Sequence, residues 1–217
     1  WFVTIIFLVI WGGGGCVPVP KKPIPVISLG NGELLPESNL IFPEAVTPPV
    51  EQSGGLAFSG QSDLLFANFE KEGRIGIYKI GSDDPPQVFI DLSEWISPVG
   101  DFVPRAEGLR VDQQKRLLVA EAGTGKLLRI SPSANKLEVL ADSYDGYRFG
   151  EVKDLVIAPS GDLFVSSPHS GTIYRIRPDI GYVGILNDDL VRVEGLAISP
   201  DGKQLVAAEP DASRVVV

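Results

Sequence analysis

The sequence predicts an all-β protein built from repeated four-stranded units, and three observations lead to this prediction. First, an apolar run that opens with leucine recurs at Leu56, Leu109, Leu155 and Leu196, and these leucines are separated by 53, 46 and 41 residues. Second, Val, Ile and Leu fall in short runs broken by Gly, Pro and Asp, which is typical of strands rather than helices. Third, four-stranded units of roughly 40 to 50 residues are the blades of β-propellers.

Each unit is expected to contribute four antiparallel strands separated by polar turns. The unit that opens at Lys153 has apolar runs at 155–157 and 163–165, an alternating segment at 172–176 and a further run at 182–186. Blades are predicted near residues 55–92, 107–140, 153–186 and 193–217, within a propeller domain over 51–217. This is about three and a half blades, whereas closed propellers have roughly four to eight.

The chain is expected to be a piece of a larger ring. It contains no Met, and its last unit stops at Val217, in its third strand. Both ends of the natural protein are therefore expected to be missing.

Residues 1–16 are predicted to be a signal peptide of the lipoprotein type. An apolar, uncharged run of 11 residues is too short to span a bilayer comfortably but suits the core of an export signal. Glycines then lead to Cys16, the only cysteine, which would become the lipidated N-terminus. Since Gly13 stands where such a signal usually has Leu, the alternative is a plain signal peptide with an incidental cysteine. The protein is expected to be exported, and either lipid-anchored in a bacterial cell envelope or secreted.

Residues 17–50 are predicted to be a Pro-rich tether, because they hold eight of the 18 prolines. Such a density excludes regular secondary structure over most of the segment and gives a semi-rigid spacer. In the alternative, Val26 to Leu29 form a strand that closes the ring.

The charge of the chain excludes one class of partner. The net charge of −9 and a pI near 4.7 disfavour nucleic acid, and no basic run is longer than Lys21-Lys22. A small-molecule ligand or a cation is expected instead, with membrane contact only through a lipidated N-terminus.

One face of the propeller is expected to gather the polar residues of a site. In an antiparallel blade the start of the first strand and the end of the second lie on the same face. The residues that open the four units, called the opening residues below, are Gly54, Glu107, Lys153 and Glu194. The ends of the second strands carry Asn68, Glu121, Ser167 and Glu209. Because first strands border the central channel, the opening residues are expected to converge at its mouth.

Two of the units carry a resemblance to a known family. Residues 194–210, EGLAISPDGKQLVAAEP, and 107–130, EGLRVDQQKRLLVAEAGTGKLLRI, resemble the six-bladed propellers of the regucalcin and gluconolactonase family and its strictosidine-synthase-like and NHL-repeat relatives. The resemblance covers residues 54–217 and implies an incomplete arc of a six-bladed ring. These relatives include lactonases, a condensing enzyme and binding scaffolds, so the fold alone leaves the function open.

The resemblance also implies a divalent cation at the channel mouth. Glu107 and Glu194, with Asp154 as a third group, are the predicted ligands, and oxygen ligands suit Ca²⁺. Lys153 stands between the two glutamates in repeat order and would oppose a cation. The alternative is therefore a network of ion pairs among Glu107, Lys153 and Glu194.

The remaining polar residues of this face are predicted to line a channel-mouth pocket: Lys153, Asn68, Glu121, His169 and Glu209. Glu121 and Glu209 are also expected to cap the turns that follow them. His169 is the only histidine and stands in Ser166-Ser167-Pro168-His169, but close spacing in a Pro/Gly turn does not by itself give the geometry of a hydrolase triad. An exposed turn histidine is the favoured interpretation, on the face that carries the opening carboxylates.

Two functions follow. The first is a metal-dependent hydrolase of lactones or related esters, in which the cation polarises the carbonyl and activates water. The alternative is a non-catalytic propeller that binds a ligand or protein. The full-length protein is expected to be a monomer in both cases.

Overall fold

The computed structural model describes residues 54–60 and 62–217, together with Ala45 and Thr47. The predicted signal peptide and nearly all of the predicted tether lie outside the described residues. The described part contains seventeen β-strands, two short 3-10 helices and no α-helix. None of its helices has the length and apolarity needed to cross a membrane.

The strands form three four-stranded antiparallel sheets and one three-stranded sheet, each in simple chain order. The first contains β1 (Leu56–Phe58), β2 (Asp63–Phe66), β3 (Arg74–Lys79) and β4 (Gln87–Asp91). The second contains β5 (Ala106–Val111), β6 (Leu117–Glu121), β7 (Lys126–Ile130) and β8 (Leu137–Ala141).

A two-stranded ribbon follows the second sheet, formed by β9 (Ser143–Tyr144) and β10 (Tyr147–Arg148). The third sheet contains β11 (Leu155–Ile157), β12 (Leu163–Ser167), β13 (Thr172–Arg177) and β14 (Tyr182–Asn187). The last contains β15 (Leu196–Ile198), β16 (Leu205–Glu209) and β17 (Arg214–Val216). The 3-10 helices span Leu92–Glu94 and Pro210–Ala212.

The core lies between successive sheets, and β6 shows how one strand serves two sheets. All five of its residues are buried. Because neighbouring side chains of a strand point to opposite faces, Val119 packs with Leu65 of the first sheet, while Leu118 and Ala120 pack with Leu155 of the third. Burying each such leucine or valine stabilises the fold by about 1.5–3 kcal/mol.

The first strands of the four sheets lie beside one another, β1 next to β5, β5 next to β11, and β11 next to β15. The approach is close enough to explain the recurring glycine before the first leucine. A Cβ at Gly55 would lie 1.8 Å from the carbonyl oxygen of Glu107, and one at Gly108 would lie 2.9 Å from the Cα of Asp154. Four-stranded sheets that share an inner row of first strands are propeller blades, which confirms the predicted fold.

Candidate functional site

Each opening residue lies opposite the end of the second strand of its own blade. The backbone N–H of Lys153 donates to Ser166 O at 2.9 Å, and the N–H of Glu194 donates to Ala208 O at 3.0 Å. The blades also meet through these residues, since the N–H of Gly108 donates to Lys153 O at 3.0 Å. The starts of the second and third blades are therefore in direct contact.

The carboxylate of Glu107 lies between two cations. Its Oε2 is 3.3 Å from Nζ of Lys153, and its Oε1 is 3.4 Å from Nε of Arg105. The Glu107 side chain is one-fifth exposed. The pair of Glu107 and Lys153 is the first link of the predicted ion-pair network.

Glu194 pairs with a different cation from the one predicted. Its Oε1 accepts a hydrogen bond from Nε of Arg192 at 2.9 Å. This bond raises the pKa of Arg192, and the charges of Asp211 and Glu151 act in the same direction. The ion pair of Glu194 is therefore made within its own blade, with the residue two positions earlier in the chain.

Asp154 holds three blades together. Its Oδ1 accepts a hydrogen bond from the N–H of Leu155, in its own blade, at 2.8 Å. Its Oδ2 accepts one from the N–H of Leu196, in the fourth blade, at 3.0 Å. Arg110 of the second blade forms an ion pair with Oδ1 at 3.1 Å. Both carboxylate oxygens are thus bonded to the protein itself.

The donor set can be compared with what a divalent cation needs. Within residues 54–60 and 62–217 no three His, Cys, Asp or Glu side chains are grouped to hold a metal ion. Glu107 faces two cations and Glu194 faces one, so the described residues as they stand do not fit a divalent cation. The metal site at Glu107, Glu194 and Asp154 stays a prediction.

Glu121 and Glu209 are fully buried and bind backbone N–H groups. Glu121 accepts from the N–H of Arg105 at 2.8 Å, from the N–H of Thr124 at 3.0 Å, and from the Thr124 hydroxyl. Glu209 accepts from the N–H of Val191 at 2.7 Å and from Nε of Arg214 at 2.6 Å, and these two bonds lower its pKa. Both carboxylates bind the segment that leads into their own blade.

Asn68 occupies the corresponding place in the first blade. Its Nδ2 donates to Ala106 O at 2.8 Å, and its Oδ1 accepts from the N–H of Gly73 at 3.2 Å. Ser167 is the counterpart in the third blade, and its hydroxyl is buried without a hydrogen-bond partner in the described structure.

A cavity of about 490 Å³ opens on the same face. Its walls come from the loop before β5, the turn between β6 and β7, the loop before β11 and the turn after β12. It will be called the channel-face cavity. Its lining includes the side chains of Phe102, Phe149, Arg105, Arg148 and His169 and the carboxylates of Glu72, Asp101 and Glu151. Of the predicted pocket residues, His169 lies in its lining, whereas Lys153, Asn68, Glu121 and Glu209 do not.

A chain of charged contacts connects this cavity to the opening residues. Nε2 of His169 is 3.2 Å from Oε2 of Glu151, and Nη2 of Arg105 donates to Oε1 of Glu151 at 2.8 Å. Arg105 also faces Glu107, which in turn faces Lys153. The His169 side chain is 70% exposed, so its imidazole is open to solvent and to a ligand.

Arg105, Glu151 and Arg192 were missed by the sequence reasoning, although a signal for them exists. Each stands two residues before an opening residue, in the patterns Arg-x-Glu, Glu-x-Lys and Arg-x-Glu. In an extended chain, residues i and i+2 project to the same side, so opposite charges at this spacing predict ion pairs. Two of the three do pair with the opening residue that follows, Arg105 with Glu107 and Arg192 with Glu194.

A second cavity, of about 520 Å³, lies on the opposite face between the second and third blades. The turns β5–β6 and β11–β12 form its walls, with Gln114, Arg116 and Ser160 among its residues. Its lining contains no opening residue.

Comparison with known proteins identifies relatives among lactone hydrolases. No protein-family model matches the chain. A gluconolactonase of Zymomonas mobilis is 28% identical over 130 aligned positions, which cover 52% of this chain and 36% of that enzyme. A lactonohydrolase of Aspergillus oryzae is 27% identical over 105 positions, which cover 42% of this chain and 24% of that enzyme. The chain thus spans about a third or less of the length of these curated relatives.

A solved gluconolactonase shares the fold. A solved gluconolactonase of Xanthomonas campestris superposes with a TM-score of 0.62 at 22% identity, covering 75% of this chain and 56% of that one. At this identity the likeness shows the fold. Sequence and fold together confirm the gluconolactonase-like resemblance seen in the repeats.

Proposed function

We propose that this gluconolactonase-like propeller belongs to a protein that hydrolyses lactones. The observation that carries the proposal is the sequence likeness to two lactone hydrolases from organisms as different as Zymomonas mobilis and Aspergillus oryzae. The substrate is accordingly a small molecule. The channel-face cavity is the proposed reaction site, because it lies beside the opening residues and contains the only histidine.

His169 is proposed as the group that moves the proton. Imidazole is the side chain whose ordinary pKa lies nearest neutrality, and Glu151 at 3.2 Å is positioned to orient it. In hydrolysis a water molecule gives its proton to His169 as its oxygen attacks the lactone carbonyl. The tetrahedral intermediate then collapses, the ring C–O bond breaks, and His169 returns the proton to the released alkoxide.

The experiment measures hydrolysis of glucono-δ-lactone and of alkyl δ-lactones by the full-length protein. His169→Gln is expected to lower kcat by about 10²–10⁴-fold, the usual contribution of a general base. Ser170→Ala, at the exposed neighbouring position, is the matched control and is expected to leave kcat unchanged. Absence of lactone hydrolysis by the wild type, with and without added divalent cations, overturns the proposal.

We further propose a divalent cation, with Ca²⁺ as one candidate, between Glu107 and Glu194 in the full-length protein. The support is their equivalent place in two Glu-Gly-Leu sequences and the partial exposure of both carboxylates. To bind the cation, the two carboxylates must give up their contacts with Arg105, Lys153 and Arg192. No step of the reaction above depends on this metal.

A non-catalytic binding propeller is the second candidate function. The observation that favours it is the pairing of both opening glutamates with cations, which leaves them neutralised and structural. In that case the protein binds small molecules in the channel-face cavity without hydrolysing them.

We also propose that the protein is exported and contacts a membrane only through a lipidated Cys16.

A further inference from the structure

One wall of the channel-face cavity is apolar. The side chains that form it are Val99, Phe102, Val103, Ala122 and Phe149. Phe102 is 67% exposed and Val103 is 48% exposed, so this wall presents uncovered apolar surface. Covering such surface with the apolar part of a ligand would be favourable in water.

The apolar wall is held by defined contacts. The backbone groups of Val99 and Phe102 exchange two hydrogen bonds, of 3.0 and 3.1 Å, across a turn in which Gly100 has φ +61°. Gly123 lies against the same loop, and a Cβ there would come within 1.8 Å of Val103 O. The loop that carries Phe102 is therefore packed against the β6–β7 turn, and its backbone is held by these contacts.

The other wall supplies charged and hydrogen-bonding groups. Arg105, Glu151 and His169 are linked there by the contacts described above. Arg148 also belongs to this wall, is exposed, and makes no ion pair within the described residues. The cavity can therefore take a polar head on one side and an apolar substituent on the other.

We infer that the channel-face cavity binds lactones with an alkyl or aryl substituent and the hydroxy acids formed from them, in preference to sugar lactones. The hydrolytic part of this inference rests on the proposed function, whereas the binding part does not. A volume of about 490 Å³ lies within the usual range of ligand pockets, roughly 300–1,000 Å³. The cavity also contains the carboxylates of Asp101 and Glu72, so the preference rests on the apolar contact area of Phe102, Val103 and Phe149. A sugar hydroxyl held against these three side chains would be unpaired, at a cost of about 1–3 kcal/mol.

The first test compares kcat/KM for δ-decalactone and glucono-δ-lactone, using the full-length protein. The wild type is expected to favour δ-decalactone by about tenfold or more. Phe102→Ser removes apolar contact area and is expected to lower the ratio of kcat/KM for δ-decalactone to that for glucono-δ-lactone about tenfold. Tyr147→Ser is the matched control, because Tyr147 is 79% exposed and lies outside the cavity.

The second test measures binding without hydrolysis. Calorimetric titration with 4-phenylbutyrate, which combines an aryl group with a carboxylate, is expected to show binding to the wild type and to Tyr147→Ser. Phe102→Ser is expected to weaken that binding by about fivefold or more.

The outcomes separate this inference from the proposed function. Phe102-dependent binding of 4-phenylbutyrate without any lactone hydrolysis refutes the proposed function and supports the ligand class. If the protein hydrolyses glucono-δ-lactone in preference to δ-decalactone, the inferred ligand class is wrong but the proposed lactone hydrolysis is supported. The same holds if Phe102→Ser does not change the hydrolysis of δ-decalactone. Failure of 4-phenylbutyrate to bind the wild type also overturns it.

Discussion

The carboxylate of Glu121, which is fully buried, accepts a hydrogen bond of 2.8 Å from the backbone N–H of Arg105, sixteen residues earlier in the chain. The same carboxylate caps the turn at Thr124. Arg105 is also the residue that connects Glu107 to Glu151. Glu121 thus holds the backbone of Arg105, and the side chain of Arg105 makes the charged contacts that connect Glu107 to the channel-face cavity.

Glu121→Ala is expected to destabilise the protein by about 2–4 kcal/mol. The change leaves the N–H groups of Arg105 and Thr124 buried without an acceptor, and each unsatisfied donor costs about 1–3 kcal/mol. Urea denaturation of the full-length protein measures the loss. Glu94→Ala, at an exposed glutamate, is the control and is expected to change the free energy of unfolding by about 0.5 kcal/mol or less. Equal effects of the two substitutions would show that Glu121 does not hold this segment.

The lowered pKa of Asp91 predicts that the folded protein loses stability in acid. Burial acts to raise the pKa of Asp91, but hydrogen bonds from Lys71 and Ser93 outweigh it and lower the pKa to about 2, from an ordinary value of 3.8. A carboxyl with a lowered pKa stabilises the folded state fully above its unfolded pKa. This stabilisation is lost as the pH falls from about 4 towards 2.

The change that tests this is Asp91→Asn, measured as the free energy of unfolding between pH 7 and pH 2. The variant is expected to be less stable than the wild type by about 1 kcal/mol at pH 7, after allowance for solvent screening, and to converge with it near pH 2. Asp83→Asn, at an exposed aspartate in the same blade, should not alter the pH dependence. A wild-type advantage that stays constant down to pH 2 argues against this role for Asp91.

The blades could be predicted because their signals are local. The glycines at 55 and 108 mark the inner strands, and the structure gives the reason, since a Cβ at either position would strike the neighbouring first strand. One local signal was missed. Asp145-Gly146 lies between two tyrosines and is typical of a hairpin turn, and its positive φ angles of 49° and 81° close the β9–β10 ribbon.

The charged contacts of the site could not be predicted in the same way. Glu151 and His169 lie 18 positions apart in sequence, and their contact depends on how the loop before β11 faces the turn after β12. Arg105, Glu151 and Arg192 occupy one equivalent position, and their i, i+2 spacing indicates the pairs Arg105–Glu107 and Arg192–Glu194. The contacts of Glu151 with Arg105 and His169 follow instead from the packing of the blades, which no spacing in the sequence contains.

Cys16→Ser is expected to move the full-length protein from the membrane fraction to the soluble fraction of bacterial cells. The reason is the predicted lipidation of Cys16, and stable anchoring requires more than one acyl chain on that residue, because a single chain binds only marginally. Fractionation and immunoblotting provide the measurement. Ser38→Ala, within the predicted tether, should leave the protein in the membrane fraction. If the Cys16→Ser protein stays there, the lipoprotein prediction is wrong.

The proposed divalent cation can be tested at Glu107 and Glu194. Their carboxylates can bind a metal only if they break their present contacts with Arg105, Lys153 and Arg192. If they bind Ca²⁺ in the full-length protein, Glu107→Gln and Glu194→Gln should each weaken binding at least about tenfold, which equals about 1.4 kcal/mol. Glu138→Gln is the matched control, because Glu138 also pairs with two cations, Arg129 and Lys136, but lies away from the opening residues.

The ion-pair alternative gives a different result in the same titration. Partly exposed ion pairs such as Glu107 with Lys153 contribute about 0–1 kcal/mol to the free energy of unfolding, so Glu107→Gln should lower that free energy only slightly. Calcium should then bind neither the wild type nor any variant. Calorimetry of the wild type distinguishes the two. A binding heat with a calcium-dependent rise in Tm, both weakened by Glu107→Gln and Glu194→Gln but not by Glu138→Gln, means that the carboxylates exchange Lys153 and Arg192 for the metal. The absence of both means that the cations already in place, rather than a metal, neutralise the channel mouth.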